Sequence, residues 1–552
     1  MSLHLTAFPE LPEETARLAR KICKQPSDQI YLVIGDQLTN LFADIDFTPL
    51  YARDGKPALS PNLLAMVCVL QALDNLPDRQ AADAVRLRID WKYALHLPLD
   101  YTGFDASDLS EFRERLLAHE LGQTLFETVL QRLRALDLLH KGGLQRTDAT
   151  RLLAASRLLN RVEFVAETMR LALEALNDQQ PGWLRSIAQP HWYERYSLVL
   201  TGFRLPRSAA KQEALALDIG RDGDHLLQAL AQLGAPAQAS QLAAVQTLAT
   251  AWPQQFEEHL DGLRFRPPAA KAPAAQEIVS PHDPEARFSR HNAQTWEGYQ
   301  THWTETCDAE QPHLITHVAV VTATTRDVEL LPQIHADLAR LGLLPAEHLV
   351  DAGYTSTANF LDSWRRYGVR IVGPLSLGSN WQSGVPGGIT VEQCEIDWQR
   401  QTARCPQGET STRWQPYVDA DGQHGIRIAF PKTACAACAL RERCTKDTGT
   451  GRRLVLTDHY QFRRDARCYQ ESADFKQEYA RRAGMEGTVS AAVRTHHARR
   501  SRYLGQAKSE LQAFLTAIAV NIKRSARWLL GERPAQTRPP GLASLAPALV
   551  AS

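Results

Sequence analysis

The spacing of apolar residues predicts helices in the first quarter of the chain. From about residue 10 to 140, apolar side chains recur every three or four residues, as on the buried face of a helix. Ser60 and Pro61 provide an N-cap and a proline at the first helical position, so we expect a helix to begin there. Pro77-Asp78 ends that helix and starts a second, shorter one. A helix-turn-helix that places one helix in a DNA groove and a plain helical packing domain both fit this pattern.

The rest of the chain shows strand and helix patterns in alternation. A short strand is predicted at 144–150, a helical stretch at 151–262 and a linker rich in Pro and Ala at 266–275. After the linker, the predicted strands are 299–307, 314–322, 347–351 and 369–372, and the predicted helices are 330–341 and 357–367. Strands that alternate with helices indicate a mixed α/β sheet with helices packed on it. A basic helical region is predicted from about 470 to 530.

The composition is that of a globular protein with several domains. The chain has 552 residues, of which 44% are hydrophobic and 22% charged, so it has enough apolar surface to bury a core. Lys+Arg and Asp+Glu each total 62, so any nucleic-acid surface must be local. No run approaches the roughly 20 apolar residues of a membrane span, and the N-terminus lacks the apolar stretch of a secretory signal. We therefore expect a cytoplasmic protein with no membrane partner.

Three acidic residues stand at positions where an α/β fold often places chemistry. Asp148 and Asp351 each lie near the end of a predicted strand. If the segment around Glu486 is helical, Tyr479, Arg482 and Glu486 share one face, and packing that face on the sheet would bring the three acids together. Carboxylates are the ligands that Mg²⁺ prefers, and two ions about 3.5–4 Å apart support in-line phosphoryl transfer. Spacing alone is weak evidence, because most acidic residues are solvated surface charges.

The sequence around these acids resembles a known family. The blocks Arg146-Thr-Asp148-Ala-Thr150, His348-Leu-Val-Asp351-Ala-Gly-Tyr354 and Arg482-Ala-Gly-Met-Glu486-Gly-Thr are similar to the three catalytic blocks of bacterial insertion-sequence transposases of the DDE class, in particular insertion-sequence family 1182. Further similar blocks lie at 280–287, 296–302 and 499–505, so the resemblance covers roughly residues 20–530 in the family's order.

The resemblance implies an activity and a ligand set. It implies a DNA transposase that cuts at the terminal inverted repeats of a mobile element and joins the freed 3′-hydroxyls to target DNA, acting as a homodimer in the DNA complex at the nucleoid. Asp148, Asp351 and Glu486 would be its catalytic residues and would bind two Mg²⁺ or Mn²⁺ ions. A metal-dependent nuclease that does not join DNA and a non-catalytic, zinc-containing DNA-binding regulator are the alternatives.

The resemblance also implies DNA contacts, with two departures. The family's signature around the glutamate is Tyr, two residues, Arg, three residues, Glu, six residues, Lys; Val493 occupies the lysine position, and Gln300 stands where a basic residue is usual. A basic cluster surrounds and follows the glutamate, and Arg can clamp phosphates with two hydrogen bonds. A solvated helix face is the alternative for these charges. The residues we assign to DNA phosphate are Tyr479, Arg482, Arg494, Arg499, Arg500 and Arg502.

Four of the nine cysteines are spaced for a metal site. Cys435 and Cys438 form a CxxC pair, with Cys405 before it and Cys444 after it. Four thiolates can hold one structural Zn²⁺ in a tetrahedron that leaves no open position. The alternative is a set of reduced thiols packed in a small β-rich insertion. The remaining thiols are expected to be small buried groups; they are Cys23, Cys68, Cys307, Cys394 and Cys468.

These observations define the expected architecture. The fold class is α+β or α/β, with a helical N-terminal domain and a ribonuclease-H-like, mixed-sheet catalytic core that carries a helical and a Cys-rich insertion. The expected domains are a DNA-end-binding helical domain (1–140), the first core strand (141–150), a helical insertion with its linker (151–280), the core (281–385), the zinc-binding insertion (386–455), C-terminal basic helices that complete the core (456–530) and a disordered tail (531–552).

Overall fold

The computed structural model describes residues 2–533 except 4–7, 202–204, 271, 292, 376–380, 419–421, 423, 448 and 458. The chain forms two compact units. Unit 1 consists of Met1–Pro345 and Gly484–Ser552, and unit 2 consists of Ala346–Ala483. The predicted disordered tail lies, from residue 534 onward, outside the described residues.

The helices and strands of the described residues are as follows. The helices are α1 (Glu13–Ile22), α2 (Pro26–Gln37), α3 (Pro61–Asp74), α4 (Asp78–Leu87), α5 (Ile89–Ala94), α6 (Ser107–Ala118), α7 (Leu121–Ala135), α8 (Arg161–Gln179), α9 (Pro181–Ile187), α10 (Pro190–Arg195), α11 (Ala209–Ala231), α12 (Ala243–Gln255), α13 (Asp327–Arg340), α14 (Thr357–Tyr367), α15 (Lys432–Ala436), α16 (Arg441–Cys444), α17 (Tyr460–Glu471), α18 (Ala473–Ala480), α19 (Gly484–Thr495) and α20 (Gln506–Leu529). The strands are β1 (Leu144–Leu153), β2 (Phe256–His259), β3 (Gly262–Phe265), β4 (Arg287–His291), β5 (Gln294–Thr306), β6 (Ile315–Thr322), β7 (Glu347–Leu349), β8 (Arg370–Val372), β9 (Glu395–Asp397), β10 (Thr402–Arg404), β11 (Arg413–Val418), β12 (His424–Ala429) and β13 (Arg453–Thr457).

The sheet of unit 1 is built around the long strand β5. It pairs antiparallel with β1 along one edge and with β4 and β6 along the other. Residues 301–306 of β5 are all buried, so buried and exposed positions do not alternate over this part of the predicted strand. Both faces of the strand are covered there, and a strand covered on both faces has no solvated side.

Helix α20 forms the centre of the helical packing in unit 1. It contacts α2, α3, α7 and β6, and it buries an apolar stripe that consists of Leu511, Leu515, Ile518, Ala519 and Ile522. The predicted start of α3 is confirmed, because the Ser60 hydroxyl accepts a hydrogen bond from the Leu63 amide and Pro61 is the first helical residue. Helix α3 is buried against α20. A turn of three residues joins it to α4, as a helix-turn-helix requires, and α4 keeps Arg79, Gln80, Asp83 and Arg86 at the surface.

Residues 161–265 of unit 1 have a core of their own, formed mainly by α8, α11 and α12. The predicted helical stretch at 151–262 is interrupted between α11 and α12, where Gly234 adopts a φ of +104° and Pro236 follows. The helical prediction is also wrong at its end. Residues 256–265 form the hairpin β2–β3, in which Gly262 adopts a φ of +109° next to the turn.

Unit 2 contains a parallel pair and a separate antiparallel sheet. Strands β7 and β8 are parallel and are connected by α14, which confirms the two strands and the helix predicted for this region. Strands β11, β12 and β13 form a three-stranded sheet next to the β9–β10 hairpin. The core of this region includes Cys394, Ile428, Leu454 and Leu456. Within the part of the chain that the structure describes, no helix has both the length and the apolar character needed to cross a bilayer.

Candidate active site

Asp148 lies in the middle of β1 rather than at its end, because the strand continues to Leu153. The side chain is half-buried, and its Oδ1 accepts a hydrogen bond of 2.9 Å from the amide of Ala149. Residues two apart in a strand point to the same face. Asp148 therefore shares a face of the sheet with Arg146.

Glu486 lies in the first turn of α19 and is exposed. The buried face of this helix consists of Met485, Thr488 and Ala492, and the helix packs on β1. A Cβ atom on Gly484, the first residue of α19, would lie 2.1 Å from Nη1 of Arg146. The helix that carries Glu486 thus packs directly on the face of β1 that carries Asp148.

The expected single helix through Tyr479, Arg482 and Glu486 is wrong. Tyr479 belongs to α18, a 3₁₀ turn at Arg481–Ala483 follows, and α19 begins only at Gly484. Glycine has a low helix propensity, and here it also allows the close approach to β1. Tyr479 and Arg482 belong to unit 2, whereas Glu486 belongs to unit 1.

A buried charge network connects α19 to the sheet of unit 1. Glu305 is directly opposite Arg146 in the β1–β5 pairing and is fully buried. Its Oε1 accepts a hydrogen bond of 2.8 Å from Nε of Arg146. Its Oε2 accepts bonds of 2.8 Å from the Thr488 hydroxyl and 2.7 Å from Nη1 of Arg524. Burial by itself would raise the pKa of Glu305, but the guanidinium groups of Arg524 and Arg146 outweigh it and lower the pKa, so the carboxylate is ionised.

Asp351 follows β7 by two residues, as the sequence predicts. Its Oδ1 accepts a hydrogen bond of 2.8 Å from the amide of Gly353, which fixes the turn after the strand. Its Oδ2 lies 3.6 Å from Nη2 of Arg482, so these two members of separate sequence blocks form an ion pair inside unit 2. Tyr479, also in unit 2, stacks on Phe475 with ring centroids 5.3 Å apart.

The basic residues after Glu486 occupy distinct environments. Arg494 and Arg500 are exposed and Arg499 is half-buried. The chain at 499–501 is attached to the end of β1, because the Leu153 amide donates to the Arg499 carbonyl and the Ser501 amide donates to the Leu153 carbonyl, each at 2.9 Å. Arg502 donates through Nη1 to the carbonyl of Leu76 at 2.9 Å and through Nη2 to the side chain of Asn75, so it holds the end of α3.

The four clustered cysteines line one cavity of about 410 Å³ in unit 2: Cys405, Cys435, Cys438 and Cys444. The Arg452 amide donates to Sγ of Cys435 at 3.3 Å, a contact that also suits a metal-bound thiolate. Of the remaining thiols, four are buried as expected. Cys468 is exposed, so the expectation is wrong at that position; it lies on the polar helix α17, which has few buried positions.

Among the described residues, no three His, Cys, Asp or Glu side chains lie together as a group that could hold a metal ion. The proposed metal ligands are instead distributed over the two units. Asp148 and Glu486 belong to unit 1, and Asp351 and the four cysteines belong to unit 2.

Sequence reasoning missed three residues of the charge network. Thr488 appeared only as the end of a motif, and Glu305 and Arg524 were not singled out. Their partners are 159 to 219 positions away in sequence, where periodicity carries no information. A charged residue within the strand pattern at 299–307 was the available signal, because a buried carboxylate requires cationic or hydrogen-bonding partners.

Comparison with protein families identifies two regions of the chain. A model described as "Transposase DDE domain" matches residues 404–526, and one described as "Transposase domain (DUF772)" matches residues 21–115. The matches support a DNA transposase of the DDE class. Such a domain implies dependence on a divalent metal and DNA as the partner. The first match includes Glu486, whereas Asp148 and Asp351 lie outside both ranges. Comparison with curated proteins gave no match.

Proposed function

We propose that this transposase cleaves DNA at the ends of an insertion sequence and transfers the freed 3′-hydroxyls to target DNA, with Asp148, Asp351 and Glu486 as its catalytic carboxylates. The observation that carries the proposal is the packing of α19 on β1, which sets the helix bearing Glu486 against the strand face bearing Asp148. Asp351 is the third ligand in this proposal. We further propose a ribonuclease-H-like core of the type found in insertion-sequence family 1182, acting as a homodimer on DNA at the nucleoid.

The carboxylates present suit Mg²⁺ or Mn²⁺. Asp148 is half-buried and Glu486 is exposed, and carboxylate oxygens are the ligands that a hydrated Mg²⁺ takes. Two bound ions would activate the attacking oxygen and stabilise the leaving oxygen. Arg482 lies beside Asp351 and offsets its charge before metal and DNA are bound. We propose that the guanidinium then contacts a phosphate oxygen of the DNA.

The phosphate contacts that we propose in unit 1 are Arg494, Arg499 and Arg500. Arg499 and Arg500 are attached by backbone hydrogen bonds to the end of β1, so they are held at a fixed distance along the strand from Asp148. Arg502 has both Nη atoms in hydrogen bonds to the end of α3, and we assign it to holding that helix. In unit 2, Arg482 and Tyr479 are the proposed contacts.

We also propose a structural Zn²⁺ in unit 2. The four cysteines line one cavity and come from three separate segments, and a Zn²⁺ bound by their thiolates would tie these segments together. The three-stranded sheet next to them has a small core, so a metal would add substantially to its stability.

The test is a strand-transfer assay with the purified full-length protein. The DNA substrate is the sequence that flanks the gene on both sides, including any inverted repeats found there, and Mg²⁺ is either present or removed with EDTA. Metal-dependent nicking followed by joined products is the expected result. Cutting without joining would identify a nuclease, and salt-sensitive DNA binding without cutting would identify a regulator. Either result would overturn the proposal.

A further inference from the structure

Glu305 is a buried carboxylate that is not one of the proposed metal ligands. It is fully buried in β5, and an ionised carboxylate in such a place is costly unless each oxygen is paired. Both oxygens are paired: Oε1 with Arg146, and Oε2 with Arg524 and Thr488. The Thr488 hydroxyl in turn accepts a bond of 2.6 Å from Nη2 of Arg524, so this hydroxyl both donates and accepts within the network.

Two of the three partners of Glu305 lie two positions away in sequence from a proposed catalytic acid. Arg146 precedes Asp148 by two residues in β1, and Thr488 follows Glu486 by two residues in α19. One carboxylate is therefore hydrogen-bonded to both elements that carry these acids. The pairing of β5 with β6 shifts register between Thr304 and Glu305, and such bulges redirect side chains.

We propose that Glu305 is a positioning residue, which fixes α19 on β1 through Thr488 and Arg146 and thereby sets the spacing of Glu486 and Asp148 for metal binding. The inference rests on the proposed function. Metal-ligand geometry tolerates displacements of only about 0.5 Å. A directional hydrogen bond from a rigid strand restrains the rotation and sliding of a helix in a way that apolar packing does not.

The test uses Thr488→Val in the full-length protein. Valine keeps the shape of threonine and removes the hydroxyl, while both guanidinium groups still pair with Glu305. The matched control is Thr316→Val, which removes a buried hydroxyl that donates at 2.8 Å to Oε1 of Gln145 in the same sheet. Thr488→Ser restores the hydroxyl and serves as the rescue variant.

Three measurements separate positioning from general destabilisation. Electron paramagnetic resonance gives the affinity for Mn²⁺, a Mg²⁺ titration of single-turnover cleavage gives the metal requirement, and hydrogen exchange reports the protection of residues 484–495. For Thr488→Val we expect Mn²⁺ affinity to fall roughly 10-fold or more. Cleavage should recover at high Mg²⁺ with the KM for DNA unchanged, and exchange should increase in α19.

The control and rescue variants decide the outcome. Thr316→Val and Thr488→Ser should keep wild-type Mn²⁺ affinity and α19 protection. Wild-type Mn²⁺ affinity in Thr488→Val, or an equal loss in Thr316→Val, would overturn the positioning role of Glu305. If the wild-type protein binds Mn²⁺ but neither cuts nor joins DNA, the proposed function is wrong, and the Mn²⁺ and exchange measurements still decide whether Glu305 acts through α19.

Discussion

Gly484 begins α19 directly against the guanidinium of Arg146, so closely that a Cβ atom at position 484 would lie 2.1 Å from Nη1. The guanidinium has little freedom to move, because it is bonded to the buried Glu305. Glycine is therefore required at position 484 because α19 approaches β1 so closely. Backbone conformation is not the reason, since the φ of Gly484 lies outside the left-handed region.

Replacing Gly484 with Ala should displace either α19 or Arg146. We expect a loss of about 1–3 kcal/mol in the free energy of unfolding, as for other overpacked sites, and a lower rate of single-turnover cleavage. The matched control is Gly487→Ala on the same helix, where a Cβ would meet nothing within 4 Å. That variant should gain up to about 1 kcal/mol from helix propensity. Equal stability of the two variants would contradict the packing described.

Replacing Asp351 with Asn should abolish cleavage and joining while DNA-end binding is retained. The amide keeps the shape of the side chain but removes the charge that a metal ion requires. Asp362→Asn, at an exposed position of α14, is the control and should be fully active. Normal strand transfer by Asp351→Asn in Mg²⁺ would remove Asp351 from the catalytic set.

Replacing Cys438 with Ser should release zinc and lower stability or solubility more than it changes chemistry. The side chain lines the four-thiol cavity, and serine is a poor replacement for a thiolate ligand. Elemental analysis should give about one Zn²⁺ per chain in the wild type and in Cys468→Ser, whose thiol is exposed and lies outside the cavity. Equal zinc content in wild type and Cys438→Ser would refute the zinc site.

Replacing Arg500 with Ala should weaken DNA binding and reduce the slope of log K against log salt by about 1, as expected when one phosphate contact is lost. Arg502→Ala should leave that slope unchanged and lower the unfolding temperature, since its guanidinium holds Asn75 and Leu76. Fluorescence anisotropy with a labelled DNA end at several salt concentrations measures both. Identical slopes for Arg500→Ala and wild type would remove Arg500 from the interface.

Replacing His335 with Gln should make stability less sensitive to acid. Burial, with a smaller contribution from His317, lowers the pKa of His335 to about 4, against about 6.5 in the unfolded chain. Between these values the unfolded state takes up a proton that the folded state does not, so stability falls as the pH decreases from 6.5 toward 4. The loss attributable to this residue at pH 5 is about 2 kcal/mol.

Unfolding temperatures at pH 7.5 and 5 test this expectation. The decrease between the two should be smaller in His335→Gln than in the wild type. His119→Gln, at an exposed position, is the control and should keep the wild-type decrease. A decrease in His335→Gln as large as that of the wild type would show that this histidine does not drive the pH response.

Several elements could be predicted because their causes are local. Ser60 and Pro61 cap α3 within one turn, and the predicted helix at 357–367 coincides with α14. The helix predicted through Arg482 and Glu486 failed for a tertiary reason. Gly484 is placed for packing on Arg146, and the backbone changes to a 3₁₀ turn just before it.

The amino-acid sequence by itself determined the strands and helices between 299 and 372, the four-cysteine spacing and the three acidic blocks, because caps, periodicity and motifs are read over a few neighbouring residues. Only the tertiary structure decided that Glu305 connects β1, α19 and α20 and that Arg502 holds the end of α3. These partners lie 159 to 427 positions apart along the chain. Hydrogen bonds over such separations depend on how the elements pack, and no local pattern of residues encodes that.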